Sequence, residues 1–225
     1  HSQTPHRPSQ SFANAIAVLF GNDLNDEALL LEGVSLFGRA LAAEDETGNP
    51  AVVCSILRDS GGVERLCAIL ESTASFDVRC EVLHVLGNMV STVVDPVGAE
   101  LSKQLIRQVG GFETVLGNLF SDDLEVVRYA AAACMNMCTT TAEADAIRSA
   151  GLLPQVVLLA NCGDPFIEEY AQGLLHNTQN ALTHRYLDRF HGTAAVANSS
   201  ATALQAAGRR LLARRRREDL SRAQR

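Results

Sequence analysis

The chain has 225 residues, of which 47% are hydrophobic and only 5% aromatic, and it contains no tryptophan. This length suffices for one domain or one continuous array with a buried core, and no run approaches the ~18 apolar residues of a membrane-spanning helix. The net charge of −7 is unevenly distributed, because residues 209–225 sum to +6 and leave −13 for residues 1–208. Such an acidic body disfavours nucleic acid as a partner, since it repels phosphate.

The cysteines indicate a reducing compartment. All six lie at uneven spacings, mostly inside apolar runs, which is typical of buried thiols rather than of a disulfide framework. The sequence therefore predicts a cytoplasmic or nuclear protein. Because it starts at His1 rather than at Met, an organelle stays open as an alternative.

The N-terminal part is predicted to change character at about residue 11. Residues 1–10 (HSQTPHRPSQ) are polar and contain proline, which predicts an extended or disordered arm. Beyond them, apolar residues recur with a period near 3.6 and never alternate as they do in a strand. The sequence therefore predicts an all-α protein.

A four-residue motif, R-x-x-G, returns along the chain. It ends at Gly61, Gly110, Gly151 and Gly192, at intervals of 49, 41 and 41 residues. We interpret it as structural: the glycine permits a sharp turn after a short helix, and the arginine complements the dipole in the last turn of that helix. An apolar pair at +5 and +9 from each of the first three glycines predicts a second helix: Leu66 and Leu70, Val115 and Leu119, Val156 and Ala160.

A longer third helix is predicted to end on an asparagine 26 or 27 residues after each of these glycines. Asp77, the pair Asp122–Asp123, and Asp164 followed by Pro165 mark its start, where acids and an N-terminal proline are favourable. Counted back from the asparagine, positions −10, −6, −3 and −2 form one apolar stripe. Its members are Val78, Val82, Val85 and Leu86; Val126, Ala130, Ala133 and Cys134; Ile167, Ala171, Leu174 and Leu175.

This three-helix unit resembles the armadillo repeat. The segment G-L-L-P-Q-V-V at residues 151–157 is similar to the G-x-I-P-x-L-V of that family, and the asparagine of the long helix matches as well. The resemblance implies a right-handed armadillo-type α-solenoid with a C-terminal capping helix. Its repeats would span about residues 11–48 (degenerate, with Arg39 near the place of the asparagine), 49–92, 93–141, 142–182 and, in part, 183–200.

One interval is longer than the others because extra residues occur at 90–103. A neutral insertion is favoured slightly over a functional loop, since longer surface loops cost little free energy.

Nothing in the sequence indicates catalysis. Cys134 and Cys138 have a spacing that could supply two metal ligands, but the repeat pattern favours buried structural thiols. No nucleophile, phosphate-binding or zinc-protease motif is present. We therefore predict no enzyme, no cofactor and no metal site.

The resemblance instead implies a binding surface on the long helices. In armadillo proteins these helices line a concave groove, where the asparagine hydrogen-bonds the backbone of an extended peptide. Acidic residues would select basic partners. The alternative is that each asparagine, near a helix end, simply bonds a neighbouring carbonyl. The candidate partner-binding residues are Glu81, His84, Asn88, Tyr129, Asn136, Tyr170 and Asn177.

Residues 201–225 are predicted to begin as a capping helix and to continue as a basic tail. The tail contains Arg214, Arg215, Arg216 and Arg217. Four consecutive arginines suit nucleic acid, an acidic membrane, a nuclear address or an acidic protein surface. We favour a partner protein or the acidic body of this chain.

Taken together, the sequence predicts a non-catalytic protein-interaction module that binds a partner segment in its groove. One alternative is a structural subunit of a large assembly, held by its outer surfaces and termini. The other is a nucleic-acid or nuclear-transport adaptor that uses the arginine-rich tail.

Overall fold

A computed structural model describes residues 16, 17, 19, 21, 26–42 and 49–190, without the side chains of 184–190. Within these residues the chain forms α-helices, one 3-10 turn at Asn118–Phe120, and no strand. The helices are α1 (Glu27–Leu41), α2 (Pro50–Asp59), α3 (Gly62–Ser72), α4 (Phe76–Met89), α5 (Ala99–Gln108), α6 (Gly111–Gly117), α7 (Leu124–Met137), α8 (Thr141–Ser149), α9 (Leu153–Leu159) and α10 (Pro165–Phe190).

The chain divides into two compact units, His1–Met137 and Cys138–Arg225. In the N-terminal unit, α4 packs against α1 on one side and α7 on the other, and α3 also contacts it. The predicted apolar stripe faces these neighbours, because all its members on α4 and α7 are buried. Burial of this stripe is the main source of stability that the sequence pattern offers the unit.

The starts of the long helices follow the capping rules, with one difference from the sequence analysis. On α4 it is Ser75, not Asp77, that caps the helix, since its Oγ accepts the N–H of Val78. Asp77 lies in the first turn, where its charge still suits the helix dipole. On α7, Asp123 Oδ1 accepts the N–H groups of Glu125 and Val126.

The R-x-x-G motifs end the short helices as the pattern predicts. Gly61, Gly110 and Gly151 have φ of 76°, 72° and 70°, in the left-handed region that glycine adopts at little cost. The fourth motif, which ends at Gly192, lies outside the described residues. Before that motif, α10 runs unbroken from Pro165 to Phe190, across the repeat boundary expected near residue 182.

The three arginines of these motifs have different surroundings. Arg148 is 53% exposed and pairs with Asp145 of its own helix, and Arg107 is 29% exposed and pairs with Glu100. Arg58 is only 11% exposed, and its Nη1 lies 2.5 Å from Oδ2 of Asp95, within the inserted segment. The same motif thus supplies two surface ion pairs and one buried one.

The pair between Arg58 and Asp95 holds the insertion in place. Asp95 is buried, and its other carboxylate oxygen accepts the N–H of Gly98, while Arg58 also donates to the hydroxyl of Ser102. Around this anchor the segment turns twice, and two of its four valines point into solvent, with Val93 90% and Val97 92% exposed.

The C-terminal unit is built by α8 and α9 packing against α10. Its core includes Ile147, Val156 and the stripe residues Ile167, Ala171 and Leu174. Leu175, a predicted core position, is only half-buried. In this unit the described helices that pack against α10 are α8 and α9, and they do not fully cover Leu175. The sequence pattern alone did not distinguish this position from its buried counterparts on α4 and α7.

We expect Gly110→Ala to destabilise the protein by about 1–2 kcal/mol, because alanine is strained at positive φ. Gly117 is the matched control, since a Cβ at either glycine meets nothing within 4 Å and only Gly110 has a left-handed φ. Gly117→Ala should be neutral or stabilising by up to about 1 kcal/mol. Urea unfolding measures both free energies, and equal effects of the two substitutions would contradict this account.

Replacing Arg58 by Met should cost about 3 kcal/mol, because it leaves the Asp95 carboxylate buried without its cation. The same substitution at Arg148, whose ion pair is exposed, should cost less than about 1 kcal/mol. The free energy of unfolding in urea is again the measurement. A similar cost for the two variants would mean that the Arg58–Asp95 pair does not anchor the insertion.

Candidate functional site

The backbones of α4 and α7 come close together at Gly87. A Cβ added there would lie 3.4 Å from Cβ and 3.5 Å from Cα of Ala133 on α7, in van der Waals contact with that residue. This approach lets Nδ2 of Asn136 donate to the carbonyl oxygen of Gly87, at 3.2 Å. One of the predicted asparagines therefore joins two long helices.

Asn88 behaves differently. Its Nδ2 donates to the carbonyl oxygen of His84 on its own helix, at 3.1 Å, which is the local alternative that the sequence analysis left open. In the described part of the chain, Oδ1 of Asn88 and Oδ1 of Asn136 accept no hydrogen bond. Each amide also keeps a second N–H, so both side chains retain a donor and an acceptor.

Three further candidates lie next to one another on the same pair of helices. The rings of His84 on α4 and Tyr129 on α7 are 5.4 Å apart between centroids and inclined by 40°. One turn before His84, the Glu81 side chain lies against α1. Among the described residues, neither the Glu81 carboxylate, the His84 ring nor the Tyr129 hydroxyl forms a hydrogen bond or an ion pair.

Gly38 on α1 provides the space for these side chains. A Cβ at this position would lie 2.9 Å from Oε2 of Glu81 and 3.2 Å from Nδ1 of His84. The carboxylate and the imidazole are therefore within about 6 Å of each other. Gly38 is not among the site residues predicted from the sequence. The available signal was a glycine inside a helix, which often marks close packing.

Acidic residues dominate the electrostatics around α4 and α7. The pKa of the Cys80 thiol is raised to about 12, first by burial and then by the negative charges of Asp123, Glu125, Asp77 and Glu81. Burial also raises the pKa of Tyr129, with Glu125 and Glu81 adding to the effect. Arg128 pairs with Glu125 at 3.8 Å and acts on Tyr129 in the opposite direction. Four carboxylates against this one cation favour a cationic ligand.

The structure therefore brings five predicted residues onto one pair of helices in the N-terminal unit. These are Glu81, His84, Asn88, Tyr129 and Asn136, all half-buried. The remaining two, Tyr170 and Asn177, are half-buried on α10 of the C-terminal unit. Arg214, Arg215, Arg216 and Arg217 lie outside the described residues.

Other chemistry has little support in the described part of the chain. No group of three or more His, Cys, Asp or Glu side chains there could hold a metal ion. Cys134 and Cys138 are both buried, and the Sγ of Cys138 lies 3.4 Å from the hydroxyl of Thr178. None of the described helices is long and apolar enough to cross a membrane.

Comparisons with known proteins identify the fold. Neither a protein-family model nor a curated protein matches the sequence. A crystal structure of an engineered protein aligns with a TM-score of 0.61 at 25% identity, over 74% of this chain and 62% of the other. A designed armadillo repeat protein in complex with the peptide (KR)4 aligns with a TM-score of 0.60 at 18% identity, over 75% and 64%.

A third structure belongs to the computationally designed armadillo repeat proteins for modular peptide recognition. It aligns with a TM-score of 0.60 at 18% identity, over 86% of this chain and 80% of the other. The present chain spans less than two thirds of the length of the first two.

The chain has an armadillo-like repeat fold of the all-α solenoid class. The predicted family resemblance and fold class are therefore confirmed. The capping helix expected within residues 201–225 lies outside the described residues.

The cysteines offer a test of the electrostatics. A thiol whose pKa is raised to about 12 is thiolate in only about one molecule in ten thousand at pH 8. We therefore expect N-ethylmaleimide to modify half-buried Cys80 at least about a hundredfold more slowly than exposed Cys162. The rate at Cys80 should still rise about tenfold per pH unit between pH 7 and 9. Peptide mapping by mass spectrometry follows both sites, and a plateau for Cys80 below pH 9 would contradict the raised pKa.

Proposed function

We propose that the N-terminal unit captures an extended polypeptide segment with basic side chains on the surface of α4 and α7. Asn88 and Asn136 bind the backbone of the segment, and Glu81 with Tyr129 receives a lysine or arginine side chain. The observation that carries this proposal is the unused hydrogen-bonding capacity of neighbouring half-buried side chains on one surface.

The asparagines suit a backbone ligand. An extended segment presents N–H and C=O groups that no strand neighbour satisfies. A carboxamide that keeps one free acceptor and one free N–H can pair with both groups at once. Because the bond from Asn136 to Gly87 fixes its side chain in place, less conformational entropy is lost on binding.

The charge of the surface suits basic side chains. Glu81 has no ion pair among the described residues, and Asp77, Asp123 and Glu125 add negative potential nearby. The ring of Tyr129 offers a face for a guanidinium group or for the stem of a lysine. That one structural neighbour is a designed armadillo protein holding (KR)4 supports this choice of ligand.

The proposed role is that of a non-catalytic binding scaffold. Tyr170 and Asn177 on α10 of the C-terminal unit have the residue types of Tyr129 and Asn136 at the same positions of their repeat. On this correspondence of positions alone, we propose them as partner-binding residues of the C-terminal unit.

Binding of fluorescein-labelled (KR)4, followed by anisotropy, tests the proposal, with (ED)4 as the control peptide. We expect Asn136→Ala to weaken binding about tenfold, because one or two hydrogen bonds to the ligand are lost. Glu81→Gln should weaken it several-fold and reduce its dependence on salt. Glu81→Gln removes no hydrogen bond or ion pair within the described residues, so it separates binding from folding.

Asn118→Ala is the matched control variant. Asn118 also donates to the carbonyl four residues earlier, that of Thr114, but it follows α6 and lies off the proposed surface. Its replacement should leave the affinity unchanged. Equal affinities for (KR)4 and (ED)4, or native affinity in both Asn136→Ala and Glu81→Gln, would refute groove capture and favour the assembly-subunit alternative.

A further inference from the structure

His84 occupies the centre of the proposed surface. It lies one turn after Glu81 on α4, its ring contacts the ring of Tyr129 on α7, and its Nδ1 is 3.2 Å from the Cβ position of Gly38 on α1. The ring is half-buried and forms no hydrogen bond within the described residues.

The groups that face His84 come from each helix around it. On α4 the facing group is the Glu81 carboxylate, within about 6 Å. From α7 it is Tyr129, on which the charges of Glu125 and of its ion-pair partner Arg128 act in opposite directions. α1 contributes the uncharged backbone at Gly38, and the adjacent Arg39 is exposed. From α3, no ion pair or hydrogen bond reaches His84 within the described residues.

We infer that His84 makes capture of a basic segment pH-dependent, with binding strong when the imidazole is neutral and weak when it is protonated. This inference rests on the proposed function, because it concerns the same subsite. It identifies His84 as the group that decides whether Glu81 is available to a cationic side chain of the partner.

The sign follows from the charges. A protonated imidazole lies within about 6 Å of the Glu81 carboxylate and neutralises its field, and it also repels the incoming guanidinium or ammonium group. At that separation and at an effective dielectric constant of about 40, between the values of a protein surface and of bulk water, one unit charge changes an affinity roughly tenfold. Histidine is the side chain that ordinarily titrates between about pH 5 and 8, whereas the carboxylates stay charged over this range.

Linkage requires the reverse effect as well. If protonation of His84 weakens binding, a bound cationic peptide must make protonation of His84 harder by the same factor. The midpoint of the His84 titration therefore moves to lower pH when the peptide is bound. A role of His84 in packing alone would not produce this shift.

The test measures the affinity of the full chain for (KR)4 at pH 7.5 and pH 5.5 at constant ionic strength. The native protein should bind roughly tenfold more weakly at pH 5.5. In His84→Gln the ratio of the two affinities should fall within about twofold of unity, whatever the absolute affinity of the variant. His176→Gln is the matched control, because His176 is exposed on α10 and pairs with Asn180. This variant should keep the native ratio.

The outcomes separate the inference from the proposed function. Binding of (KR)4 with equal affinity at both pH values overturns the inference that His84 makes binding pH-dependent, and it leaves the proposed function standing. A drop at pH 5.5 that persists in His84→Gln also overturns it. Absence of binding at both pH values overturns the proposed function and this inference with it. An NMR titration of the His84 ring whose midpoint is the same with and without peptide overturns the inference by a second route.

Discussion

The structure depends on one constraint: a long helix with an apolar stripe cannot remove that stripe from water by itself. α4 meets the constraint by packing between α1 and α7. Its valines and leucines are consequently buried, while the residues of the other face stay half-exposed. The candidate site consists of polar residues that this packing leaves half-buried. Glu81, His84 and Asn88 lie on the same helix as the stripe and are spaced between its members.

The close contact of α4 and α7 at Gly87 also sets the geometry of the candidate site. Helices held at that distance let Asn136 reach across to the Gly87 carbonyl, and they bring Tyr129 to the ring of His84. The apolar packing therefore sets the spacing of the polar groups. A ligand that binds them meets a surface whose geometry exists before it arrives, which lowers the entropic cost of binding.

Much of this architecture could be predicted from the sequence, because the repeat samples the same helix pattern three times. Val78, Val126 and Ile167 occupy one register position and are all buried, and the glycines at the turns have the expected left-handed backbone. Five candidate residues could be placed on two adjacent helices for the same reason. Periodicity separates the buried face of each long helix from its polar faces, and the family resemblance predicts which polar face binds a partner.

What could not be predicted are contacts between distant positions. Gly38 belongs to the degenerate first repeat, where the asparagine that would set the register is missing, so its place beside Glu81 and His84 had no signal in the pattern. The different behaviour of Asn88 and Asn136 depends on how closely two helices approach, and the stripe does not encode that distance. Likewise, Arg58 and Arg148 occupy the same position of the R-x-x-G motif. Their environments differ because their ion-pair partners differ.

The ion pair between Arg58 and Asp95 limits how the connection between α4 and α5 can vary in length. Deleting the turns at residues 91–98 would remove Asp95 and leave the Arg58 guanidinium with the Ser102 hydroxyl as its one remaining side-chain partner among the described residues. A shorter connection would therefore require a second change, at Arg58, in the same step. The insertion and the arginine thus depend on each other for the pairing of their buried charges, and the same turns display Val93 and Val97 to solvent.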